Sequence, residues 1–219
     1  MIEWTYWRLA AFGATVAACS GPAHHAHHGA FADPAQSERM LEDPQRDEWQ
    51  KPDEVLRAMQ LAPSMTVADV GAGTGYFSVR LARAVPDGVV IATDVEPKMV
   101  EYVAQRARRE QLPNIRAARA TTSTSGLAPS SVDAILVVNV WHHIDDRAAY
   151  ARDLAVALKP GGRLFVVDFT RDAKRGPPQE MRVAPDQLVT ELTGVGLHAS
   201  VSAVQLPDQY IVEATREAR

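Results

Sequence analysis

The stretch VADVGAGTGYFS, residues 67–78, decides the fold, because a short apolar run leads directly into glycines at every second position. Gly71, Gly73 and Gly75 have no Cβ, so the backbone there can turn freely and can pass close to a ligand. A P-loop would end in Gly-Lys-Ser or Gly-Lys-Thr, and a dinucleotide-binding loop would have G-x-G-x-x-G spacing; neither pattern is present. The stretch therefore predicts a strand, a loop built for a flat, partly uncharged ligand, and a helix.

Apolar periodicity on both sides of this loop alternates between strands and helices. Helices are predicted at residues 52–61, 75–85, 97–110, 146–162 and 185–196. Strands are predicted at residues 66–70, 88–95, 114–120, 132–140, 163–169, 198–206 and 209–215. This alternation predicts an α/β fold, with a doubly wound, mostly parallel seven-stranded sheet that has helices on both faces. The last two strands are close in sequence and predict a C-terminal antiparallel hairpin.

The composition limits the classes of function. The 219 residues are 46% hydrophobic, which is enough for one domain with a well-filled core. The formal net charge is −4 and the sequence pI is about 6.0, so no nucleic-acid partner is predicted. Cys19 is the single cysteine of the sequence. The folded part therefore has no internal disulfide and no thiol for covalent catalysis.

The first residues resemble a targeting segment. LAAFGATVAA (9–18) is apolar and has the length of a signal-peptide core, and it runs into VAAC (16–19), which resembles the lipobox of bacterial lipoproteins. This resemblance predicts a signal peptide at residues 1–18, location in the cell envelope and membrane anchoring through a lipidated Cys19. A start at Met40 or a poorly ordered tail is the alternative, and a cytoplasmic protein would then be expected.

The tract HHAHHG (24–29) contains four of the seven histidines. Neutral imidazoles bind Zn²⁺, Cu²⁺ or Ni²⁺, but no carboxylate or cysteine pattern accompanies them here. Residues 19–36 are therefore predicted to be a flexible His-rich linker with incidental metal affinity and no defined metal site. The folded domain is predicted to occupy residues 37–219.

Four motifs in register resemble those of class I S-adenosylmethionine-dependent methyltransferases. They are VADVGAGTGYF, VIATDVEPKMV, VDAILVVNVWHHI and LKPGGRLFVVDF, and the resemblance covers roughly residues 45–215. The sequence is most similar to the small-molecule branch, in particular to the C-methyltransferases of quinone biosynthesis. The resemblance implies a Rossmann-like fold, S-adenosyl-L-methionine as cofactor and a small molecule as methyl acceptor.

The family pattern implies a set of cofactor-binding positions. They are Asp69, Gly71, Gly73, Gly75, Tyr76, Asp94, Val95 and Asn139. By this resemblance the glycines pass the methionine and ribose portions, and Asp69 positions the methionyl ammonium. Asp94 would accept hydrogen bonds from both ribose hydroxyls, as acidic residues at the end of a second strand do for nucleotide-like ligands. The alternative is that both acids only face helices or loops.

One segment departs from the family pattern. After the third strand the family places an acidic residue for the adenine amino group, but RATTSTSGLAPSS (119–131) contains no acid. Hydroxyls at Thr122, Ser123 or Thr124 could accept this hydrogen bond more weakly than a carboxylate. Weaker cofactor binding is therefore expected.

The end of the fourth strand carries the candidate catalytic residues. Methyl transfer to oxygen or carbon requires removal of a proton, and the imidazole changes charge near neutral pH. His142 and His143 are therefore the candidate general bases, with Trp141 as a flank for a planar acceptor or for the sulfonium. Adjacent residues at a strand end point in opposite directions, so only one histidine should face the acceptor. The alternative is that the histidines only pack or cap a helix.

Other segments complete the predicted site. Trp49 and Gln50 are candidates for a lid over the cofactor, and residues 170–182 are predicted to form one wall of the acceptor site. No Asp/Asn-Pro-Pro-Tyr/Phe motif for methylation of amino groups is present, which leaves a small-molecule acceptor. A second hypothesis is an envelope-anchored ligand- or metal-binding lipoprotein with a degenerate methyltransferase domain, because the methyl donor is not expected outside the cytoplasm.

Overall fold

A computed structural model describes residues 34–218. The predictions for the signal peptide, for Cys19 and for the His tract lie outside the described residues. The first helix begins at Pro34, three residues before the predicted start of the folded domain. No helix of the described part is long and apolar enough to cross a membrane.

Seven strands form one mixed sheet. They are β1 (Thr66–Val70), β2 (Val89–Asp94), β3 (Ile115–Arg119), β4 (Val132–Val138), β5 (Leu158–Phe169), β6 (His198–Val201) and β7 (Gln209–Thr215). The strand order is β3-β2-β1-β4-β5-β7-β6. The first five strands pair in parallel, whereas β7 is antiparallel to both β5 and β6. The predicted doubly wound sheet with a C-terminal antiparallel hairpin is confirmed.

The helices cover both faces of the sheet. They are α1 (Pro34–Leu41), α2 (Arg46–Gln50), α3 (Pro52–Met59), α4 (Tyr76–Ala84), α5 (Pro97–Arg109), α6 (Arg147–Ala157) and α7 (Pro185–Thr193), with 3₁₀ turns at Trp141–His143 and Gln179–Met181. Strand β4 shows why two layers are needed. Ile135 and Val137 belong to the core on the α6 and α7 side, whereas Ala134 and Leu136 belong to the core on the α3 and α4 side.

Two predicted boundaries were wrong, and two helices were not predicted. The helix predicted over residues 146–162, with Pro160 and two glycines as its stop, ends at Ala157, and the chain already runs in β5 from Leu158. The strand predicted at 198–206 stops at Val201. It lies at the sheet edge, where short strands are usual. Helices α1 and α2 were not predicted, because residues 34–50 have no clear apolar period.

The sheet order determines where a ligand can bind. The strand order reverses between β1 and β4, which are neighbours at the centre of the sheet. The chain runs outward from β1 to β3 and then returns to form β4 on the other side of β1. In such sheets ligands bind outside the carboxyl ends of the strands at this switch point. The glycine loop after β1, the end of β2, and the segments after β4 and β5 all lie at this edge.

Candidate active site

The glycine loop lies between β1 and α4. Its conformation is left-handed at every second residue, with φ of +74°, +54° and +84° at Gly71, Gly73 and Gly75. The N–H groups of Gly71 and Ala72 both donate to the carbonyl of Thr93, at 2.8 and 3.0 Å, which ties the loop to β2. A Cβ on Gly71 would overlap the Cγ2 methyl of Val140, just after β4. Only glycine fits there, and the loop stays pressed against the central strands.

Asp94 ends β2 beside this loop. Its Oδ2 accepts from the N–H of Gly73 at 2.8 Å, and its Oδ1 accepts from the N–H of Glu96 at 2.9 Å. Burial raises the pKa of Asp94, while these backbone hydrogen bonds act in the opposite direction. A carboxylate has about four acceptor sites, so two remain for a pair of hydroxyls. These acceptor positions fit the hydroxyls of the ribose of S-adenosylmethionine, and half-buried Val95 is the next residue in the chain.

Asp69 lies on β1 beneath the loop and is buried. Its Oδ2 accepts from the hydroxyl of Ser78 at 2.6 Å. Burial raises the pKa of Asp69 to about 6, although Ser78 and the nearby Arg46 lower it. An ammonium group beside this carboxylate would compensate for its lost hydration. This is the chemistry that the methionyl group of the cofactor supplies.

The raised pKa of Asp69 predicts a pH-dependent stability. The folded pKa of about 6 lies above the ordinary 3.8, so Asp69 favours the folded state at low pH and that stability is lost as the pH rises from 4 to 6. We expect Asp69→Asn to raise the free energy of unfolding at pH 7.5, by up to about 3 kcal/mol, and to have little effect at pH 4. Urea unfolding of both proteins at the two pH values measures this. An equal effect at both values would contradict it.

Tyr76, the first residue of α4, is held between two guanidinium groups. The Cζ atoms of Arg46 and Arg80 lie 3.8 and 3.9 Å from the ring centroid. The hydroxyl donates to Asp47 of α2. The family resemblance would have Tyr76 pack against the adenosine of the cofactor, and that contact would require one guanidinium group to move. In the structure the ring fastens α2 to α4.

Asn139 lies one residue after β4 and has a left-handed φ of +58°. Its Oδ1 accepts from Nε2 of Gln209 at 2.5 Å, and its Nδ2 donates to Oε1 of Gln50 at 3.4 Å. Gln50 in turn donates to Oε1 of Gln209. This amide ring, Gln50–Gln209–Asn139, joins α2 to the ends of β4 and β7. Sequence reasoning missed Gln209, which has no local signal because its partners are distant in the chain.

His142 is paired with Asp168 at the adjacent ends of β4 and β5. Its Nδ1 lies 2.8 and 3.1 Å from the two carboxylate oxygens, and its backbone N–H donates to Oδ2 at 3.2 Å. The side chains are only 3% and 1% exposed. Asp168 also accepts from the N–H of Phe169 at 2.8 Å. An imidazole whose Nδ1 donates to a carboxylate has its Nε2 available to accept a proton.

The expectation that the two histidines point in opposite directions is wrong. Residues 141–143 form a 3₁₀ turn instead of extending the strand, and the ring centroids of His142 and His143 are 4.1 Å apart. Trp141 was expected to flank an acceptor but lies in the core, with no exposed surface. Its Nε1 donates to Glu191 of α7 at 2.8 Å. Trp141 therefore anchors the turn that presents both histidines.

Aromatic side chains extend the site beyond His142. The ring of Phe169 lies 6.4 Å from that of His142, and Trp49 stacks on Phe169 with centroids 5.9 Å apart. Arg175, from the segment after β5, lies 5.2 Å from the centroid of Trp49. Trp49 belongs to α2, and its role as a lid over the cofactor stays a prediction. The three rings form an apolar row beside the His142–Asp168 pair.

The segment at residues 170–182, the predicted wall of the acceptor site, is held by hydrogen bonds. Arg182 donates from Nε to the carbonyl of Pro177 at 2.8 Å and from Nη1 to the carbonyls of Arg171 and Ala173, both at 2.9 Å. Asp208 accepts from the N–H of Lys174 at 3.1 Å. These hydrogen bonds pair backbone groups of the segment with protein partners, so the segment has a defined conformation.

At the predicted adenine edge, the residues that replace the usual acid are exposed. Thr122, Ser123 and Thr124 lie at the surface after β3. The Oγ1 of Thr121 accepts from the N–H of Thr124 at 3.0 Å, which closes a tight turn. The binding of the adenine amino group by these hydroxyls stays a prediction. No group of three or more histidine, cysteine or acidic residues within residues 34–218 could hold a metal ion.

The chain is similar in sequence to known methyltransferases. Residues 67–162 match a family described as methyltransferase domain. An uncharacterised methyltransferase of Mycobacterium tuberculosis is 36% identical over 130 residues, which are 59% of this chain and 50% of that protein. The demethylmenaquinone methyltransferase of Tropheryma whipplei is 36% identical over 104 residues, which are 48% of this chain and 41% of that protein. The chain thus spans about half the length, or less, of these curated relatives.

A solved structure extends the similarity to the whole fold. The S-adenosylmethionine-dependent methyltransferase from Aquifex aeolicus superimposes with a TM-score of 0.76 at 27% identity, over 84% of this chain and 98% of that chain. The fold is that of class I methyltransferases. S-adenosyl-L-methionine is the cofactor that the matched domain and the structural neighbours indicate, and the Gly71 and Asp94 geometry fits it.

Proposed function

We propose that the chain is an S-adenosylmethionine-dependent methyltransferase that acts on a small, planar acceptor whose reacting oxygen or carbon gives up a proton. The observation that carries this proposal is the His142–Asp168 pair. It lies at the same sheet edge as the glycine loop and Asp94, two residues beyond the Val140 methyl that supports Gly71. In this proposal His142 is a base next to the strand end that supports the glycine loop.

In the proposed reaction, different residues bind the cofactor and accept the proton. The cofactor, when bound, supplies an electrophilic methyl group on a sulfonium. In this proposal Asp94 and the glycine loop orient it. His142 accepts the acceptor's proton at Nε2 while Asp168 keeps Nδ1 protonated and stabilises the imidazolium that results. A positioned base is needed for oxygen and carbon acceptors but not for a thiolate or a neutral amine.

The aromatic row favours a flat acceptor. The rings of Trp49, Phe169 and His142 lie in a row, and aromatic side chains bind planar apolar rings. The similarity to a demethylmenaquinone methyltransferase supports a quinol-like ring, although it covers less than half of that relative. The alternative of a ligand- or metal-binding lipoprotein has no support from the comparisons.

Asp94→Ala tests cofactor binding. We expect it to weaken binding of S-adenosylhomocysteine at least about tenfold, because two charge-assisted hydrogen bonds to the ribose are lost. Isothermal calorimetry on the wild type and the variant measures this. Glu96→Ala is the matched control, since it removes a neighbouring carboxylate and leaves the backbone N–H that binds Asp94.

Transfer itself is tested with labelled donor. Wild-type protein with methyl-labelled S-adenosylmethionine should transfer label to a 1,4-naphthoquinol or a catechol and produce S-adenosylhomocysteine. Absence of any calorimetric signal with millimolar S-adenosylhomocysteine would overturn the proposed function. The protein used should begin no later than Pro34, because α1 contacts the glycine loop through Leu41.

A further inference from the structure

Arg175 continues the aromatic row beyond Trp49. Its Cζ lies 5.2 Å from the centroid of the Trp49 ring, and Trp49 in turn stacks on Phe169. Arg175 belongs to the segment at residues 170–182, the predicted wall of the acceptor site, whereas Trp49 belongs to α2. A cation therefore lies beside the row of rings, where two separate parts of the chain meet.

The backbone around Arg175 is fixed on both sides. Before it, the N–H of Lys174 donates to Oδ1 of Asp208 at 3.1 Å. After it, Gly176 lies against the ring of Phe169, since a Cβ on Gly176 would be only 2.7–2.8 Å from three of the ring atoms. The φ of Gly176 is +96°, a conformation that favours glycine. The Arg175 side chain thus starts from a defined point beside Phe169.

The guanidinium group of Arg175 still has hydrogen-bond donors available. Its Nε lies 3.2 Å from Oδ2 of Asp208 in an ion pair, but neither Nη1 nor Nη2 donates a hydrogen bond to any group within residues 34–218. The side chain is 45% exposed, so a ligand can reach it. A guanidinium presents its N–H groups as a planar fork that matches the two oxygens of a carboxylate. Asp208 therefore orients the group and leaves its terminal nitrogens for an anion.

The charge of the wall also favours an anion. Residues 170–182 contain four basic and two acidic residues, in a chain whose formal net charge is −4. With Asp208 counted as a third acid, the wall keeps an excess of one positive charge. An anion is therefore attracted to this wall, although the net charge of the whole chain is negative.

We propose that the methyl acceptor is an aromatic acid and that Arg175 binds its carboxylate. This proposal rests on the proposed function, because it assumes a planar acceptor beside the aromatic row. One flat molecule then has an apolar ring for Trp49 and an anion for Arg175, and its hydroxyl group gives up a proton to His142. Arg175 thereby selects hydroxylated aromatic acids over rings that have no negative charge.

The test removes the carboxylate from the acceptor and the guanidinium from the protein. 3,4-Dihydroxybenzoate is compared with catechol, which has the same ring and the same two hydroxyls but no carboxylate. Calorimetry measures the binding of each compound to protein saturated with S-adenosylhomocysteine. We expect wild-type protein to bind 3,4-dihydroxybenzoate at least about tenfold more tightly than catechol. Arg175→Gln should reduce this preference to less than about twofold, mainly by weakening the binding of 3,4-dihydroxybenzoate.

Arg171→Gln is the matched control. It removes one positive charge from the same segment, but the side chain of Arg171 forms no ion pair and no ring contact within residues 34–218. We expect it to keep the preference of the wild type. Arg175→Lys keeps the charge but loses the fork, and it should lower the preference at least about threefold. This second variant decides the matter if Arg175→Gln does not fold.

The possible outcomes separate the two proposals. If wild-type protein does not bind S-adenosylhomocysteine, the proposed function and this assignment are both overturned. If it binds S-adenosylhomocysteine but shows no preference for 3,4-dihydroxybenzoate, or binds neither compound, only the aromatic acid is overturned. A preference that Arg175→Gln retains, or that Arg171→Gln loses to the same extent, overturns the role of Arg175. A preference that Arg175→Gln loses and Arg171→Gln keeps establishes the contact.

Discussion

His142→Ala is expected to slow methyl transfer by about 10²–10⁴-fold, the usual contribution of a positioned base, and to change the affinity for S-adenosylhomocysteine by less than about twofold. We expect the two effects to separate because, in the proposed function, Asp94 and the glycine loop hold the cofactor, whereas His142 accepts the proton of the acceptor. Wild-type rates should fall as the pH is lowered, since a protonated imidazole cannot accept a proton. Single-turnover transfer from labelled donor at several pH values, with calorimetry for the affinity, measures both effects.

Three further variants identify the base. Asp168→Asn should also slow transfer, at least about tenfold, because the carboxylate that holds the Nδ1 proton and stabilises the imidazolium is lost. His143→Ala should have the smaller effect of the two histidine variants, and exposed His198 serves as a control position with no expected effect. A larger loss of rate in His143→Ala than in His142→Ala would identify His143 as the base. If the rate does not depend on pH and both histidine variants are active, the two histidines have only a packing role.

Gly71→Ala is expected to lower the free energy of unfolding by about 2–5 kcal/mol and to abolish detectable cofactor binding. The left-handed φ of +74° contributes roughly 1–2 kcal/mol for a residue with a Cβ. Overlap of the new methyl with Val140, a side chain with little rotamer freedom, contributes about 1–3 kcal/mol more. Denaturant unfolding followed by circular dichroism measures the stability.

Two comparisons isolate the steric part. Gly196 has a φ of +87°, but a Cβ there would meet no atom within 4 Å. Gly196→Ala should therefore show only the backbone cost of roughly 1–2 kcal/mol. Combining Gly71→Ala with Val140→Ala removes the overlapping methyl and should recover at least about 1 kcal/mol relative to additivity. If Gly71→Ala costs no more than Gly196→Ala, the close packing of the loop on β4 is not a constraint.

The central fold could be predicted because its signals are local in sequence. The seven residues of β4 lie within the continuous apolar run at 132–140, and such a run is typical of a strand that helices cover on both faces. The glycine loop was likewise predicted from its spacing, and the position of Asp94 from the family resemblance. Their roles depend on the two strand ends they follow, and neighbouring strand ends in a parallel sheet meet at one edge.

The cover of the site could not be predicted in the same way. Helix α2 has five residues, too few to be stable by themselves, and it exists because Tyr76 and the amide ring hold it. Nothing in RDEWQ indicates that Arg46 is buried while its neighbour Asp47 is exposed. Contacts between residues 46–50 and partners 30 to 160 positions away decide this.

The sequence by itself determined the sheet, the glycine loop and the acidic end of β2, because periodicity and backbone conformation are properties of short segments. Tertiary structure alone decided that Trp141 lies in the core and that both histidines stand side by side on a 3₁₀ turn. It also decided that His142 pairs with Asp168 and that Arg46 is a buried cation near Asp69. Those properties depend on which distant side chains bury a charged group. The spacing of residues along the chain does not indicate which side chains these are.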